Sequence, residues 1–514
     1  MGFYAGIDLG TSSTKVLIMD REGNALGVGN ASYEVRIPMI SRAEQDPEEW
    51  WTAVKTALAG ATAAAGIPAS GIDAVSFSGQ MHGVVALDRD KQPVCPAIIH
   101  LDQRSGPLLK EMREIAGSLM KEELLNQPGA GMMISTLYWM KKESPVLFDK
   151  VRFVLSPKDY IRFRLTGEIG TEVTDAAASL GFSVKNRSWC KELFHRLGIP
   201  EEIFPPVHES CEAVGTVTSK AAGETGLSPD TKVICGAGDS LAAMTGIGVI
   251  GPGTMACNIG TASQLVVVAD HPVFDPEFRV QTWCHTRPGC WAIQSGALNG
   301  GSTLSWLKKK ILRTAAPFSV LDQEAGEVPA GSDGLLFLPY LSGERTPWNN
   351  PSAKGVYFGL GMNHTQAHLI RATMEGVLFN LRECLGIFDG IHLERKSLLA
   401  SGGAARGKTW KQIQADMLDM PVRTAIVEEE ACQGAAILAM VGAGVFPDIP
   451  SACSRIIRLS DELVEPIPEN VRRYEEKQAL FHSLYGQAEE LFKESFGRYH
   501  DNCYDSGYGY VCYG

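Results

Sequence analysis

The feature that most constrains this chain is a short glycine turn that occurs twice. The first copy is DLGTSS at residues 8–13, and the second is NIGTAS at residues 258–263. Each copy lies between two apolar segments, which predicts a strand, a turn and a second strand. In such a turn, backbone N–H groups and hydroxyls converge on one point, which suits a phosphate group. Two copies predict a duplicated domain that holds phosphate between its halves.

Length and composition limit the class of protein. A chain of 514 residues is too long for one core, and its 45% hydrophobic and 21% charged residues are ordinary for a globular enzyme. The net charge of −12, without a long basic run, argues against nucleic acid as a partner. The 12 cysteines lack zinc-type spacing, so we expect reduced thiols. No signal peptide or membrane-spanning stretch is visible, which predicts a cytoplasmic protein without a membrane partner.

The apolar pattern predicts one α/β plan in both halves. In the first half we expect strands over 4–9, 15–19, 25–31 and 72–78, and a helix from Pro47, capped by Asp46, to about Ala65. In the second half we expect strands over 255–260, 264–269, 397–400 and 422–427, and a helix over about 409–418.

A second pair of similar segments supports duplication. Residues 238–248 and 434–444 both look like closely packed helices of small residues. Composition alone can produce such a likeness, but together with the repeated turn it favours duplication. We predict domains at 1–250 and 251–485. The last segment, 486–514, is expected to hold a helix end and, from residue 499, a loose tail rich in Tyr, Gly and Cys.

Two aspartates are candidates for chemistry. Asp8 ends the first strand beside the first turn, where a carboxylate is useful to a phosphate only if a cation such as Mg²⁺ lies between them. A turn-capping role is the alternative. Asp239 follows Gly236 and Gly238 where a strand meets a helix, and could accept a proton from a substrate hydroxyl. An ordinary helix N-cap is its alternative.

Two further motifs have a functional and a plainer interpretation. Gln80, Met81 and His82 follow a strand in a loop flanked by glycines, and Gln and His suit the binding of hydroxyls, although a lone His is more often structural. Residues 402–409, GGAARGKT, fit the P-loop pattern between a strand and a helix. Few residues remain after this motif for a P-loop domain, and a P-loop would not explain the repeated turn.

Six segments of the chain form an ordered set of motifs, namely DLGTS at 8–12, SGQMHG at 78–83, PKDY at 157–160, GAGD at 236–239, LPYLSGERTP at 338–347 and SGGAAR at 401–406. Residues 355–360 and 374–376 add to this set. In this order the segments resemble those of one family, the FGGY carbohydrate kinases, and within it most closely the xylulokinases. The resemblance covers about residues 3–485.

The resemblance implies a fold and a reaction. The fold would be α/β, with duplicated actin-like ATPase domains of the ribonuclease-H-like type flanking a central cleft. The reaction would use ATP and Mg²⁺ to phosphorylate a primary hydroxyl of a small-molecule sugar, most closely D-xylulose to D-xylulose 5-phosphate. The resemblance also suggests a homodimer.

The resemblance also implies roles for individual residues. Asp239 is similar to the catalytic base, and Asp8 to the carboxylate near Mg²⁺ and the γ-phosphate. The cofactor-binding positions are Thr11, Ser12, Lys15, Gly260 and Thr261 in the phosphate turns, and Gly402 and Gly403 in the adenosine turn. The substrate-binding positions are Gln80, Met81, His82, Asp239 and Ser240.

Three departures from the family pattern leave the sugar open. Thr136 stands where Lys is usual, His100 where Trp is common, and Ser240 where xylulokinases have Asn. Gluconate, ribulose, other ketoses and polyols therefore remain alternatives. Two classes without sugar phosphorylation also remain: a non-catalytic sugar or nucleotide sensor, and a polymerising cytoskeletal ATPase.

The two glycine turns are unequal. The second has Asn258 and Gln264 where the first has Asp8 and Lys15. The first turn is therefore expected to face the metal and the transferring phosphate, and the second to bind phosphate without handling metal.

Overall fold

The computed structural model describes residues 2–504. Its regular elements form one set before residue 250 and one set after it. The strands of the first set are β1 (Phe3–Leu9), β2 (Ser13–Asp20), β3 (Ala25–Ser32), β4 (Glu44–Gln45), β5 (Ile72–Gly79), β6 (Val85–Leu87), β7 (Ala97–Ile98), β8 (Phe153–Leu155), β9 (Thr171–Glu172), β10 (Phe182–Ser183), β11 (Ser188–Trp189), β12 (Val207–His208), β13 (Ala213–Thr216), β14 (Lys232–Ile234) and β15 (Ala237–Gly238). Its helices are α1 (Pro47–Ala65), α2 (Leu109–Ala116), α3 (Met133–Glu143), α4 (Pro145–Phe148), α5 (Pro157–Thr166), α6 (Val173–Ala178), α7 (Lys191–Leu197), α8 (Ser219–Thr225) and α9 (Asp239–Ile247).

The second set follows a parallel plan. Its strands are β16 (Thr254–Ile259), β17 (Ser263–Ala269), β18 (Gln281–Cys284), β19 (Trp291–Ala297), β20 (Leu336–Pro339), β21 (Gly355–Phe358), β22 (Ser397–Ser401) and β23 (Val422–Thr424). Its helices are α10 (Gly301–Trp306), α11 (Phe318–Gly326), α12 (Gln366–Gly390), α13 (Lys408–Leu418), α14 (Glu430–Gly442), α15 (Ile449–Ile456) and α16 (Pro468–Tyr504).

Two sheets of the same topology form the centre of the molecule. The first has the order β13-β14-β5-β1-β2-β3, with β15 also beside β5, and the second has the order β18-β19-β17-β16-β22-β23. In each, three antiparallel strands (β1-β2-β3 and β16-β17-β19) join through their first strand to a parallel strand, β5 or β22. The predicted duplication of an α/β unit is confirmed by this repeated order.

Most predicted element boundaries are close to those observed. Helix α1 begins and ends as expected, because the Asp46 carboxylate accepts the N–H of Glu48 and Gly66 ends the helix at φ 68°. The predicted strand over 422–427 is too long. It stops at Thr424, because the next residue, Ala425, leaves the parallel ladder and bridges Leu459 instead.

The two helices of small residues cross each other between the sheets. A Cβ on Gly246 of α9 would lie 1.9 Å from the carbonyl oxygen of Glu430, and one on Gly434 of α14 would lie 1.8 Å from that of Ala242. Only glycine permits such an approach of two backbones. Helix α14 also lies on the first sheet, where a Cβ on Gly6 would clash with α14 backbone. The second half of the sequence therefore returns to the first sheet at this crossing.

The last helix is longer than expected. Buried aromatic residues recur along α16 and pack on the second set, which explains why the helix persists; they are Tyr474, Phe481, Tyr485 and Phe492. The prediction of a loose tail is wrong for residues 499–504, which continue α16, and the remainder of the tail lies outside the described residues. Within residues 2–504, none of the helices is long and apolar enough to cross a membrane.

Candidate active site between the two sheets

Three predicted site segments leave one edge of the first sheet. Strand β1 runs parallel to β5 with Asp8 opposite Ser78, and β15 runs parallel to β5 with Gly238 opposite Gly79. The first glycine turn, the loop over 80–82 and Asp239 therefore follow the carboxyl ends of three adjacent strands. Ligands of open α/β sheets bind at such an edge.

Asp239 is the first residue of α9 and lines a cavity of about 950 Å³. Burial, together with the negative charges of Asp8 and Asp175, raises the pKa of its carboxyl group to about 7, and the N–H of Ser240, 2.6 Å from Oδ1, opposes this shift. A carboxylate with a pKa near neutrality is a stronger base than an exposed aspartate. This position can accept a proton from a hydroxyl bound in the cavity.

His82 lies in the same cavity in a strained turn. Its φ is 71°, and the N–H of Gly83 donates to the carbonyl of Met81 at 2.9 Å, so His82 is the central residue of a γ-turn. The ring lies with Nδ1 2.7 Å from the carbonyl oxygen of Ala178, so Nδ1–H donates and Nε2 is left as an acceptor. Burial lowers the pKa of His82 to about 4, so the ring is neutral at pH 7. A neutral acceptor suits a sugar hydroxyl.

The wall of the cavity comes from both halves of the chain. Met81 lies against the loop before Asp239, and a Cβ on Gly238 would be 2.6 Å from its Cγ. Trp283 of β18 lies with its ring centroid 5.7 Å from that of His82. Ser240 lines the cavity beside them. A ligand here would contact both sheets at once.

Two of the departures from the family pattern lie in this cavity. Ser240 and His100 both line it. His100 Nδ1 is buried without a hydrogen-bond partner among the described residues, and burial lowers the pKa of its ring. The third, Thr136, is buried in α3 and does not line the cavity. Among the three departures, His100 and Ser240 are therefore the two that line the cavity.

Gln80 is expected to bind the substrate, but its side chain does not line the cavity. It is fully buried, and its Nε2 donates to Oε1 of Gln45 at 2.9 Å. The Nε2 group of Gln45 donates in turn to the carbonyl of Thr11 at 2.7 Å. Gln80 therefore supports the first glycine turn through Gln45 instead of facing the sugar position.

The first glycine turn carries both signs of charge. Asp8 Oδ1 accepts the hydroxyl of Ser78 at 2.6 Å, and burial raises the pKa of Asp8, opposed by that bond and by Lys15. Lys15 Nζ lies 2.7 Å from Oε2 of Glu429, the residue just before α14. This ion pair joins the two halves of the chain. Lys15 has three N–H donors, so a phosphate at this turn can either share Lys15 with Glu429 or compete for it.

The second turn and the predicted adenosine turn share one edge of the second sheet. Asn258 pairs with Ser401 across parallel strands, and its Nδ2 donates to the Ser401 hydroxyl at 2.8 Å. Gly402 follows directly, and a Cβ on it would lie 2.7 Å from the carbonyl oxygen of Ile259. The carbonyl of Gly260 accepts the N–H of Gly301 at 2.7 Å. The structure thus brings together the predicted positions Gly260, Thr261, Gly402 and Gly403.

The P-loop alternative is contradicted by the cap of α13. The backbone N–H groups of Thr409 and Trp410 donate to the carboxylate of Asp322, and the Thr409 hydroxyl donates to the backbone carbonyl of Asp322 at 2.6 Å. A P-loop needs these N–H groups and this hydroxyl for phosphate and metal. A carboxylate at the helix N-terminus occupies them and repels an anion.

The oxygen donors near the first turn fit Mg²⁺. The Asp8 carboxylate, which accepts the Ser78 hydroxyl, is a hard oxygen ligand at the edge of the sheet. No cluster of three or more His, Cys, Asp or Glu side chains suited to a metal occurs within residues 2–504. Mg²⁺ commonly keeps waters and binds through one or two carboxylates plus substrate phosphates. A single carboxylate at this position agrees with that mode of binding.

Four residues of the site escaped prediction. Gln45, Trp283, Arg345 and Glu429 all bond to or adjoin predicted positions. Arg345 lies within the quoted segment 338–347, so the family resemblance held a signal for it. The contacts of the other three depend on packing between distant segments, for which a single sequence holds no pattern.

The chain is similar to known carbohydrate kinases along nearly its whole length. The sequence profile of the FGGY family of carbohydrate kinases matches with its N-terminal domain over residues 3–246 and its C-terminal domain over residues 255–443. A xylulose kinase of Bacillus subtilis (strain 168) is 33% identical over 96% of this chain and 98% of its own length. A gluconokinase of the same organism is 30% identical over 94% of this chain and 95% of its own length.

A solved structure agrees with these relatives. The crystal structure of xylulose kinase from Rhodospirillum rubrum superposes with a TM-score of 0.89 at 29% identity, over 96% of this chain and 100% of that chain. The repeated sheets described above are therefore the two domains of an actin-like ATPase fold, as the sequence predicted.

Proposed function

Because the chain belongs to the FGGY family of carbohydrate kinases and is therefore a sugar kinase, we propose that it transfers the γ-phosphoryl group of ATP to a primary hydroxyl of D-xylulose, giving D-xylulose 5-phosphate and ADP. The support for this sugar is the 33% identity with a xylulose kinase over nearly the full length of both chains. The membership in a kinase family speaks against the sensor and the cytoskeletal ATPase.

The observation that carries the mechanism is the position of Asp239. Its carboxylate lines the same cavity as Met81 and His82, at the sheet edge where the strand of Asp8 ends. A sugar hydroxyl that donates to Asp239 would be held for attack on phosphorus. As the new O–P bond forms, the hydroxyl proton passes to Asp239, and the bond between Pγ and the β–γ bridging oxygen breaks to release ADP.

The other residues bind and orient. His82 Nε2 accepts a hydrogen bond from a second sugar hydroxyl, since its Nδ1–H is already committed to Ala178. The glycine turns at Gly10 and Gly260 present N–H groups to the phosphates of ATP. Asp8 would hold Mg²⁺, which when bound neutralises phosphate charge. The Trp283 ring on the opposite wall helps to exclude water, which would otherwise compete as acceptor.

A sugar acid such as gluconate is the second candidate substrate. One relative at 30% identity is a gluconokinase. The cavity also departs from the xylulokinase pattern at His100 and Ser240, both on its lining. Ser is shorter than Asn and offers fewer hydrogen-bonding groups, so it leaves space or water beside the sugar.

A panel of sugars with ATP and Mg²⁺, followed by ADP release, tests the proposal. D-Xylulose should give a kcat/KM at least about 10-fold above D-ribulose, D-gluconate and glycerol. Asp239→Asn, which keeps the shape of the side chain, is the matched inactive control. Preference for D-gluconate or D-ribulose would replace the sugar but keep the kinase. ADP release with none of the sugars would contradict the proposal.

The proposed cellular location follows from the two substrates, ATP and a sugar. ATP and a free sugar meet in the cytoplasm, which is the proposed location. The homodimer suggested by the sequence stays a prediction, and sedimentation velocity of the purified chain would test it.

A further inference from the structure

Arg345 projects into the cleft without an ionic partner. Its Nε donates to the carbonyl of Gly296 at 2.9 Å, and its guanidinium lines the cavity that holds Asp239 and His82. Among the side chains that the structure describes, those of residues 2–495, no carboxylate oxygen lies within 4.0 Å of this guanidinium. Arg345 is exposed to solvent although many protein atoms surround it, so an anion that enters the cavity can reach its charge.

The adjacent acid, Glu344, acts on Arg345 through space in the direction that raises its pKa, but its carboxylate forms no ion pair with the guanidinium. Glu344 Oε1 accepts the backbone N–H groups of Leu298 and Arg345, at 2.6 Å and 2.9 Å, and Oε2 accepts the amide of Asn380 at 3.1 Å. The hydrogen bonds of the Glu344 carboxylate are therefore directed to these three N–H groups and not to the Arg345 guanidinium. The Arg345 side chain lines the cleft and is exposed to solvent, and the surrounding protein atoms lower its pKa while the charge of Glu344 opposes that shift. The charge of Arg345 is thus available to a ligand.

The guanidinium lies between the second glycine turn and the sugar position. A Cβ on Gly296 would be 2.1 Å from its terminal nitrogen, so the group rests flat against this glycine. Gly296 is paired in register with Gln264, which follows the second turn and is itself opposite Asn258. On the other side, the charge of Arg345 acts on the ring of His82. An anion bound in the cavity between the second turn and Asp239 would lie near this guanidinium.

The two sheets differ in charge, since the second turn lacks the positive charge that the first turn has. In the first sheet, Lys15 lies opposite Asp8 in the register of β1 and β2. In the second sheet Gln264 occupies the equivalent place opposite Asn258, so the turn has no cation of its own. Arg345 brings a positive charge to that place from the segment after β20.

We propose that Arg345 is a catalytic residue that binds the oxygens of the γ-phosphoryl group as it leaves ADP for the sugar. This rests on the proposed phosphoryl transfer but not on which sugar accepts it. A planar guanidinium can donate two parallel hydrogen bonds to phosphate oxygens. Its contribution grows as negative charge spreads over those oxygens in the transition state. A carboxylate of a sugar acid has the same chemistry and is the competing source of the anion.

The test compares Arg345→Met with Arg345→Lys and a control, Arg89→Met, which removes an exposed arginine from a loop outside the cavity. Binding of ADP with Mg²⁺ is measured by calorimetry with and without aluminium fluoride, which mimics the transferring phosphoryl group. The affinity gained on adding aluminium fluoride should fall about 10²-fold in Arg345→Met, with ADP affinity itself within about twofold. Arg345→Lys should restore part of the gain, and Arg89→Met should match the wild type.

Two further measurements distinguish the outcomes. With the sugar that the wild type phosphorylates best, Arg345→Met should lower kcat about 10²-fold or more and change the sugar KM only a few-fold. Calorimetry with D-gluconate alone tests the other anion. An unchanged kcat, or an unchanged gain with aluminium fluoride, would overturn the proposal. Loss of D-gluconate binding with kcat for a neutral sugar intact would assign Arg345 to a substrate carboxylate. Neither result depends on D-xylulose being the substrate.

Discussion

The two glycine turns share one backbone plan but have different chemistry. The first turn places a carboxylate and a lysine opposite each other in register, at Asp8 and Lys15. At the same register positions the second turn has two amides, Asn258 and Gln264. The Asp8 side chain accepts a hydroxyl, whereas the Asn258 side chain donates to one, at Ser401. Duplication therefore gives two turns of the same backbone form, and we propose that their side-chain differences decide which of them lies beside the metal.

The two crossing helices also differ in their chemistry. When residues 238–248 are aligned with residues 434–444, Ala435 of α14 stands where α9 has Asp239. In the proposed function, the base, the metal carboxylate and the sugar loop all belong to the first sheet, whereas the second half contributes an uncharged turn, Trp283 and Arg345. The proposed direction of transfer, toward the first sheet, follows from this distribution.

The largest effect is expected when the proposed base, Asp239, which has no counterpart in α14, is replaced. Asp239→Asn should lower kcat by about 10³-fold, because the amide cannot accept the hydroxyl proton. In the wild type, kcat/KM should fall as the pH drops below about 7, since protonation of Asp239, whose pKa is raised to about 7, removes the base. Steady-state kinetics across pH 5.5–9 would measure both.

The matching control is nucleotide binding. ADP affinity should change by less than about threefold in Asp239→Asn, because the carboxyl group acts on the sugar. Turnover close to that of the wild type, or a flat pH profile across neutrality, would show that another group accepts the proton.

The next effect tests the first turn directly. Asp8→Asn makes it resemble the second turn, and we expect kcat to fall about 10²-fold and the Mg²⁺ concentration for half-maximal rate to rise, because the metal loses its carboxylate. The readout is the rate as a function of Mg²⁺ at saturating ATP and sugar. Ser78→Ala removes only the hydroxyl bond to Asp8 and should cost much less. Equal losses in the two variants would assign Asp8 a merely structural role.

The reciprocal change adds a carboxylate to the second turn. Asn258→Asp places a negative charge beside bound phosphate and removes the donor to Ser401, so the KM for ATP should rise about 10-fold at near-constant kcat. Asn258→Ser, which is neutral, is its control and should lie close to the wild type. A loss of kcat as large as in Asp8→Asn would mean that the two turns act alike.

A smaller effect is expected at the ion pair between the halves. Lys15 and Glu429 are partly exposed, so their pair contributes about 1 kcal/mol or less. Glu429→Gln should free Lys15 for phosphate and lower the KM for ATP about two- to fivefold, whereas Lys15→Met should raise it. Initial rates at varied ATP measure both. A higher KM in both variants would show that Glu429 positions Lys15 for ATP.

The smallest effect is expected outside the two turns. Lys408→Ala alters the P-loop-like segment and should leave kcat and the KM for ATP within about twofold, because Asp322 already occupies the helix end beside it. A loss of several orders of magnitude would restore the P-loop interpretation.

Sequence reasoning predicted the repeated sheets because their signals are local. Strand alternation, the Asp46 cap and the two turns all lie within short windows, and the edge where Asp8 and Asp239 meet follows from strand order. Side-chain direction was harder to predict. Gln80 turns inward to Gln45, and Lys15 reaches Glu429 across 414 positions of sequence. Such contacts arise from packing between distant segments.

The central claim is that the first turn, and not the second, holds the metal beside the transferring phosphate. Titration of Mn²⁺ in the presence of ADP and aluminium fluoride, followed by electron paramagnetic resonance, measures this without a sugar. The account predicts that Asp8→Asn weakens Mn²⁺ binding at least about 10-fold and that Asn258→Ala leaves it within about twofold of the wild type. Equal weakening by both, or loss only in Asn258→Ala, would contradict it.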